Sequence, residues 1–142
     1  MLLSEVPYEI EKLKKQYGTN DPFKIAEKRG ITILYGYFGE EVYGFYTKNH
    51  RCKFIHLNAE LPYQKMLFVC GHELSHAIFH PNDNTARMTA DSFSSTSKIE
   101  AQANCGATHL LIDGSHLNEL CYPTKLDILN YYGLPLEMEI YL

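Results

Sequence analysis

Two histidines and a glutamate stand at a spacing that suits metal chemistry: His72-Glu73-x-x-His76. On a helix, residues four apart share a face and lie about 6 Å apart along the axis. Two imidazoles so placed can bind one ion. Glu73 lies about 100° round the helix, too far to join the ligand set but close enough to touch a water on the ion. Two histidine ligands and a glutamate base are the parts of a zinc hydrolase. Chance gives such a match in roughly 3% of random chains of this size and composition, so a helical setting and a third ligand must support it.

A catalytic zinc site takes three protein ligands and keeps one position open. Glu100 is the best third candidate, 24 residues beyond His76 at the start of the next predicted helix. The plainer reading of Glu100 is a helix-start carboxylate favoured by capping and the helix dipole. Asn104 follows one turn later on the same face, where its amide can hydrogen-bond the far nitrogen of a ligand histidine. His80 extends the motif by four more residues. A straight helix would put it about 12 Å from His72 along the axis, so one ion cannot take both. It reads as a cap on the helix C-terminus beside Pro81. His109 could enter a cleft as an electrophile, although a packed or surface role is the plainer one. His50, His56 and His116 have no spacing partners and read as surface residues.

The elements that must carry these residues follow from periodicity and punctuation. Val6, Ile10, Leu13 and Tyr17 predict an amphipathic helix over residues 4–17 ending at Gly18. Asp21-Pro22 opens a short second helix closed by Gly30. The β-branched run 31–35 reads as a strand, and 42–48 with 53–57 reads as a hairpin. This region is dense in aromatics, which mainly cover the sheet, with Tyr46 a candidate for lining the cleft. A buried helix is predicted from Pro62 to His80, with prolines near both ends. Residues 81–97 are polar and lack periodicity, so they read as a long loop of the kind that is often functional. Ser97 and Glu100 match a capping box for the next helix, and two shorter helical stretches and a small terminal element follow.

Composition narrows the class. The 142 residues suit one domain, with hydrophobic content of 45% and charged content of 21%. The expected fold class is α+β, a small antiparallel sheet packed on helices around the central motif helix. No run of 18 apolar residues occurs and no signal-peptide pattern opens the chain, so the expected compartment is the cytoplasm with no membrane contact. The net charge of −4 and the lack of a basic run argue against direct nucleic-acid binding. Four scattered cysteines without C-x-x-C favour neither a disulfide framework nor a zinc ribbon; Cys70 and Cys105 read as small core residues.

Three segments together resemble the ImmA/IrrE metallopeptidases. Phe54-Ile55-His56-Leu57-Asn58 followed by Leu61 is similar to the family's strand-then-Asn entry. Phe68 to His80 matches its H-E-L-x-H-x-x-x-H helix, and Ile99-Glu100-Ala101-Gln102-Ala103-Asn104 its E-x-x-A-N helix. Cys105-Gly106 stand where the family usually carries Phe-Ala, and Ile112-Asp113 where it often carries Met-Pro. The resemblance implies a zincin-like fold, zinc on His72, His76 and Glu100, and Glu73 as base. It also implies cleavage of a helix-turn-helix repressor of a phage or mobile element, relieving repression. A rival class is a non-catalytic zinc-binding regulator or half of a toxin–antitoxin pair. A lytic enzyme acting on cell wall fits less well without an export signal.

Overall fold

The computed structural model describes residues 1–83 and 85–142. Its first helix, α1 (Val6–Tyr17), buries Val6, Ile10 and Leu13 along one stripe and ends at Gly18, whose φ of 65° suits a residue without a side chain. A short 3-10 turn, Leu3–Glu5, precedes it. In α2 (Pro22–Lys28) the Asp21 carboxylate accepts from Phe23 N–H at 2.9 Å, the capping that Asp21-Pro22 predicts.

The sheet contains β1 (Thr32–Gly36), β2 (Gly44–Asn49) and β3 (Cys52–Asn58) in the order β1-β3-β2. The β2–β3 hairpin is antiparallel as expected. β1, however, joins the other side of β3 in parallel, so the sheet is mixed rather than wholly antiparallel. Asn58 accounts for this path. Its amide donates to the carbonyls of Gly39 and Val42, each at 2.9 Å, and its backbone N–H donates to Tyr43 O. These bonds hold the 37–43 connection as it passes across the end of β3.

One face of the sheet packs on α3 (Tyr63–Phe79), which in turn packs on α4 (Lys98–Leu111); α1 also packs on α4. Every residue of α3 from Phe68 to Ala77 is buried, so the motif helix lies inside the core. α3 and α4 meet through small residues. A Cβ on Gly71 would stand 3.3 Å from Ala107 Cβ, and one on Gly106 would collide with Ser75 Oγ. Gly106 in place of the family's usual alanine therefore fits a serine on the facing helix. The hydroxyls at this seam bond their own helix, Ser75 to Gly71 O and Thr108 to Asn104 O.

The polar segment 81–97 is not simply a loop. Met88 is fully buried and bridges to Gly44 at the edge of β2: its N–H donates to Gly44 O, and Tyr43 N–H donates to Met88 O, each at 2.8 Å. A 3-10 turn, Ala90–Ser94, then buries Phe93. Single apolar anchors have no period, so the sequence pattern does not reveal them. The chain ends in α5 (His116–Glu119), α6 (Lys125–Tyr132) and a 3-10 segment, Leu136–Tyr141. No helix among the described residues is long and apolar enough to cross a membrane.

Candidate metal centre

His72 and His76 stand one turn apart on α3, their Nε2 atoms 3.1 Å apart. Glu100 enters from the first turn of α4. Its Oε2 lies 3.2 Å from His72 Nε2 and its Oε1 3.0 Å from His76 Nε2. Both oxygens of the Glu100 carboxylate thus face the histidine pair, and neighbouring atoms in this group of four lie 3.0–3.2 Å apart. Tetrahedral zinc with ligand bonds near 2.0–2.1 Å has edges of about 3.3 Å. The donor set, two imidazoles and one carboxylate, suits zinc chemically as well as geometrically.

Glu100 reaches the histidines because it does not cap its helix. Ser97 is the N-cap of α4, but its side chain makes no capping bond, so the capping box read from Ser97 and Glu100 does not form. The carboxylate turns inward instead. Burial opposes its charge, but hydrogen bonds and positive charge from His72 and His76 win and hold it well below the usual carboxylate range.

Glu73 is the other feature that ordinary packing does not explain. It is 0% exposed and neither carboxylate oxygen has a hydrogen-bond partner among the described residues. An unpaired buried carboxylate is costly, and burial pushes its pKa up to about 8. Charge on His76 pulls it down and Glu100 pushes it further up. A carboxylate with spare acceptors beside three convergent donors suits water or an ion held between them.

The surroundings fix the rings. Asn104 Oδ1 lies 2.9 Å from His72 Nδ1, and the Asn104 amide donates to Ser92 O at 2.8 Å. That second bond sets which end of the amide faces the ring, so Nδ1 carries a proton; in the neutral ring that a metal requires, the Nε2 lone pair then faces Glu100 and His76. Ser92 belongs to the 3-10 turn anchored by Phe93, which gives this segment a part in orienting His72.

Other candidates fall elsewhere. His80 stands at the C-cap of α3, as expected, with its backbone N–H on His76 O, but it is buried and its ring lies between His76 and Gln102. Gln102 was not picked out by spacing because it lies off the face that Glu100 and Asn104 share. His109 faces away, its Nε2 2.9 Å from Tyr141 O in the terminal segment. Tyr46 is buried and its hydroxyl donates to Pro81 O at 2.8 Å, fastening the exit of α3. It lines a groove of about 590 Å³ between β2 and Pro81, Asn82, Asp83, Thr85 and Arg87. His116, expected at the surface, is buried against Tyr132.

A model of the M78 peptidases, described as the IrrE N-terminal-like domain, matches residues 26–141. The chain belongs to this family. The matched region takes in the sheet, α3 and α4, and so His72, His76 and Glu100. Among curated proteins, the "Uncharacterized immunity region protein 2" of Bacillus phage phi105 is 36% identical over 103 residues. That alignment covers 72% of this chain and 65% of the relative, just under two thirds of its length. "Metallopeptidase ImmA" of Bacillus subtilis (strain 168) is 30% identical over 136 residues, 92% of this chain and 79% of the relative. Membership of a metallopeptidase family implies a metal ion, and His72, His76 and Glu100 are the group of described residues able to hold one.

Proposed function

We propose that the chain is a zinc-dependent endopeptidase that cleaves a helix-turn-helix repressor of a phage or mobile element in the cytoplasm and so relieves repression. The observation that carries this reading is an unpaired, fully buried Glu73 beside the triangle of His72, His76 and Glu100. The names of the relatives, an immunity-region protein and a metallopeptidase, point the same way.

His72, His76 and Glu100 would hold the ion. Zinc supplies Lewis acidity there, acidifying a water and polarising the scissile carbonyl. Glu73 accepts the proton of the attacking water and returns it to the leaving amine. A carboxyl pushed towards neutral pH by burial is well matched to both transfers. Asn104 keeps the His72 ring in register throughout. The edge of β2 beyond the Gly44–Met88 bridge offers backbone groups to an extended substrate strand.

The test is incubation with the helix-turn-helix repressor encoded beside the gene, with and without a chelator. Cleavage at one site, abolished by chelator and restored by zinc, is the expected result. Stable binding of an intact repressor by zinc-loaded protein would instead favour the regulator reading.

A further inference from the structure

The arrangement on the far side of His76 is a hydrogen-bonded chain that ends in an amide of known orientation. His76 Nδ1 lies 3.0 Å from His80 Nδ1, and His80 Nε2 lies 2.6 Å from Gln102 Oε1. The Gln102 amide nitrogen donates to Met1 O at 2.9 Å, so its oxygen is the end that faces His80. All three side chains are buried, with Gln102 3% and His80 6% exposed.

These contacts fix the protons in sequence. Gln102 Oε1 only accepts, so His80 Nε2 carries the hydrogen. A neutral imidazole has one N–H, so His80 Nδ1 is the acceptor. His76 must then donate from Nδ1, which leaves its Nε2 lone pair facing His72 and Glu100. We propose that His80 and Gln102 are positioning residues for His76, selecting the tautomer and ring angle that present Nε2 to the metal.

The backbone supports the relay. The chain leaves helical geometry at His80, with φ −132° and ψ 52°. Tyr46 fastens the next residue through the Pro81 carbonyl, and Lys53 Nζ donates to Ala77 O at 3.1 Å. The last turn of α3 is thereby anchored from the sheet. His72 has a matching arrangement, with Asn104 as its acceptor and Ser92 O fixing that amide. Each ligand histidine thus has one amide-oriented support, direct for His72 and relayed through His80 for His76.

The inference rests on the metal-centre reading above. Its test uses the zinc-loaded full chain with histidine ring nitrogens observed by NMR, alongside zinc affinity measured by chelator competition. His80 is expected to be protonated on Nε2 and bare on Nδ1. His80→Phe is expected to raise the zinc dissociation constant about 10- to 100-fold, the usual effect of losing a ligand's support. Gln102→Leu should weaken binding less, and Gln102→Glu, which keeps an acceptor, should recover most of the loss. If His80→Phe does not fold, the NMR tautomer and the Gln102 pair decide the matter. A proton on His80 Nδ1, or unchanged affinity in His80→Phe or Gln102→Leu, overturns the relay alone. Wild-type chain that binds no zinc overturns the metal centre and the relay with it.

Discussion

Two histidine clusters in this protein use the same side-chain types to opposite ends. At the α3–α4 seam, His72, His76 and Glu100 converge while Glu73 lies beside them with both oxygens unpaired. Near the C-terminus, His116 and Asp113 gather round the Tyr132 hydroxyl. That oxygen lies 2.7 Å from His116 Nδ1 and 3.3 Å from Asp113 Oδ1, and receives the N–H groups of Gly114 and His116. Asp113 also accepts from Ser115 N–H, which together with its other hydrogen bonds holds its pKa down. The second cluster satisfies itself and ties a turn to α6. The first keeps capacity in reserve. Spare acceptors in a buried place, more than the presence of histidine and carboxylate, separate a site for chemistry from a structural knot.

The comparison breaks most completely at a ligand. His76→Ala should reduce bound zinc from about one equivalent to nearly none by elemental analysis, with cleavage lost as well. Retained stoichiometry would show that the triangle is not the metal centre. Glu73→Gln separates the roles: zinc stays, while the cleavage rate falls about 10²- to 10⁴-fold, the range of a general base. Wild-type turnover in that variant would remove Glu73 from the mechanism.

Glu73 also predicts a pH effect in metal-stripped protein. Its folded pKa of about 8 lies above the ordinary 4.5, so between those values the folded state holds a proton that the unfolded chain has lost. Stability from this group is full below about pH 4.5 and is lost as pH rises towards 8. Glu100 acts in the opposite sense, because its lowered pKa gives stability that is lost on acidification. Glu73→Gln should flatten the decline between pH 5 and 8 in denaturant titrations, and an unchanged slope would contradict the assignment.

Smaller effects test the scaffold. Gly106→Ala places a methyl against Ser75 Oγ, and 3.1 Å from Ser75 Cβ, at a seam with no slack. Overpacking of this kind costs about 1–3 kcal/mol. Zinc affinity should fall too, because α4 carries Glu100, and calorimetry with and without zinc would separate the two effects. Tyr132→Phe should cost about 1 kcal/mol through the lost hydroxyl while leaving zinc affinity unchanged. A loss of zinc in that variant would mean that the two clusters are coupled.

Much of this architecture is written in local pattern. The α1 stripe, the Asp21-Pro22 start, the β2–β3 hairpin and the buried motif helix all follow from period, caps and turns. The parallel placement of β1 does not, because it depends on the Asn58 amide gripping a connection 16–19 residues away in the chain. Nor do the anchors Met88 and Phe93, which are single apolar residues in a polar stretch. His116 looked isolated because its partner Tyr132 lies 16 residues on.

By itself the sequence determined which chemistry was available: two histidines a turn apart, a glutamate beside them, and Glu100 and Asn104 one turn apart on the following helix. Helix geometry is local, and spacing within one helix fixes which side chains share a face. Only the tertiary structure decided how those side chains are used. It turned Glu100 from cap to partner of the histidines, left Glu73 unpaired, and set the His80 ring between His76 and Gln102. Those outcomes depend on how closely α3 and α4 approach. Gly71 and Gly106 permit that approach, but no pattern within either helix alone reveals it.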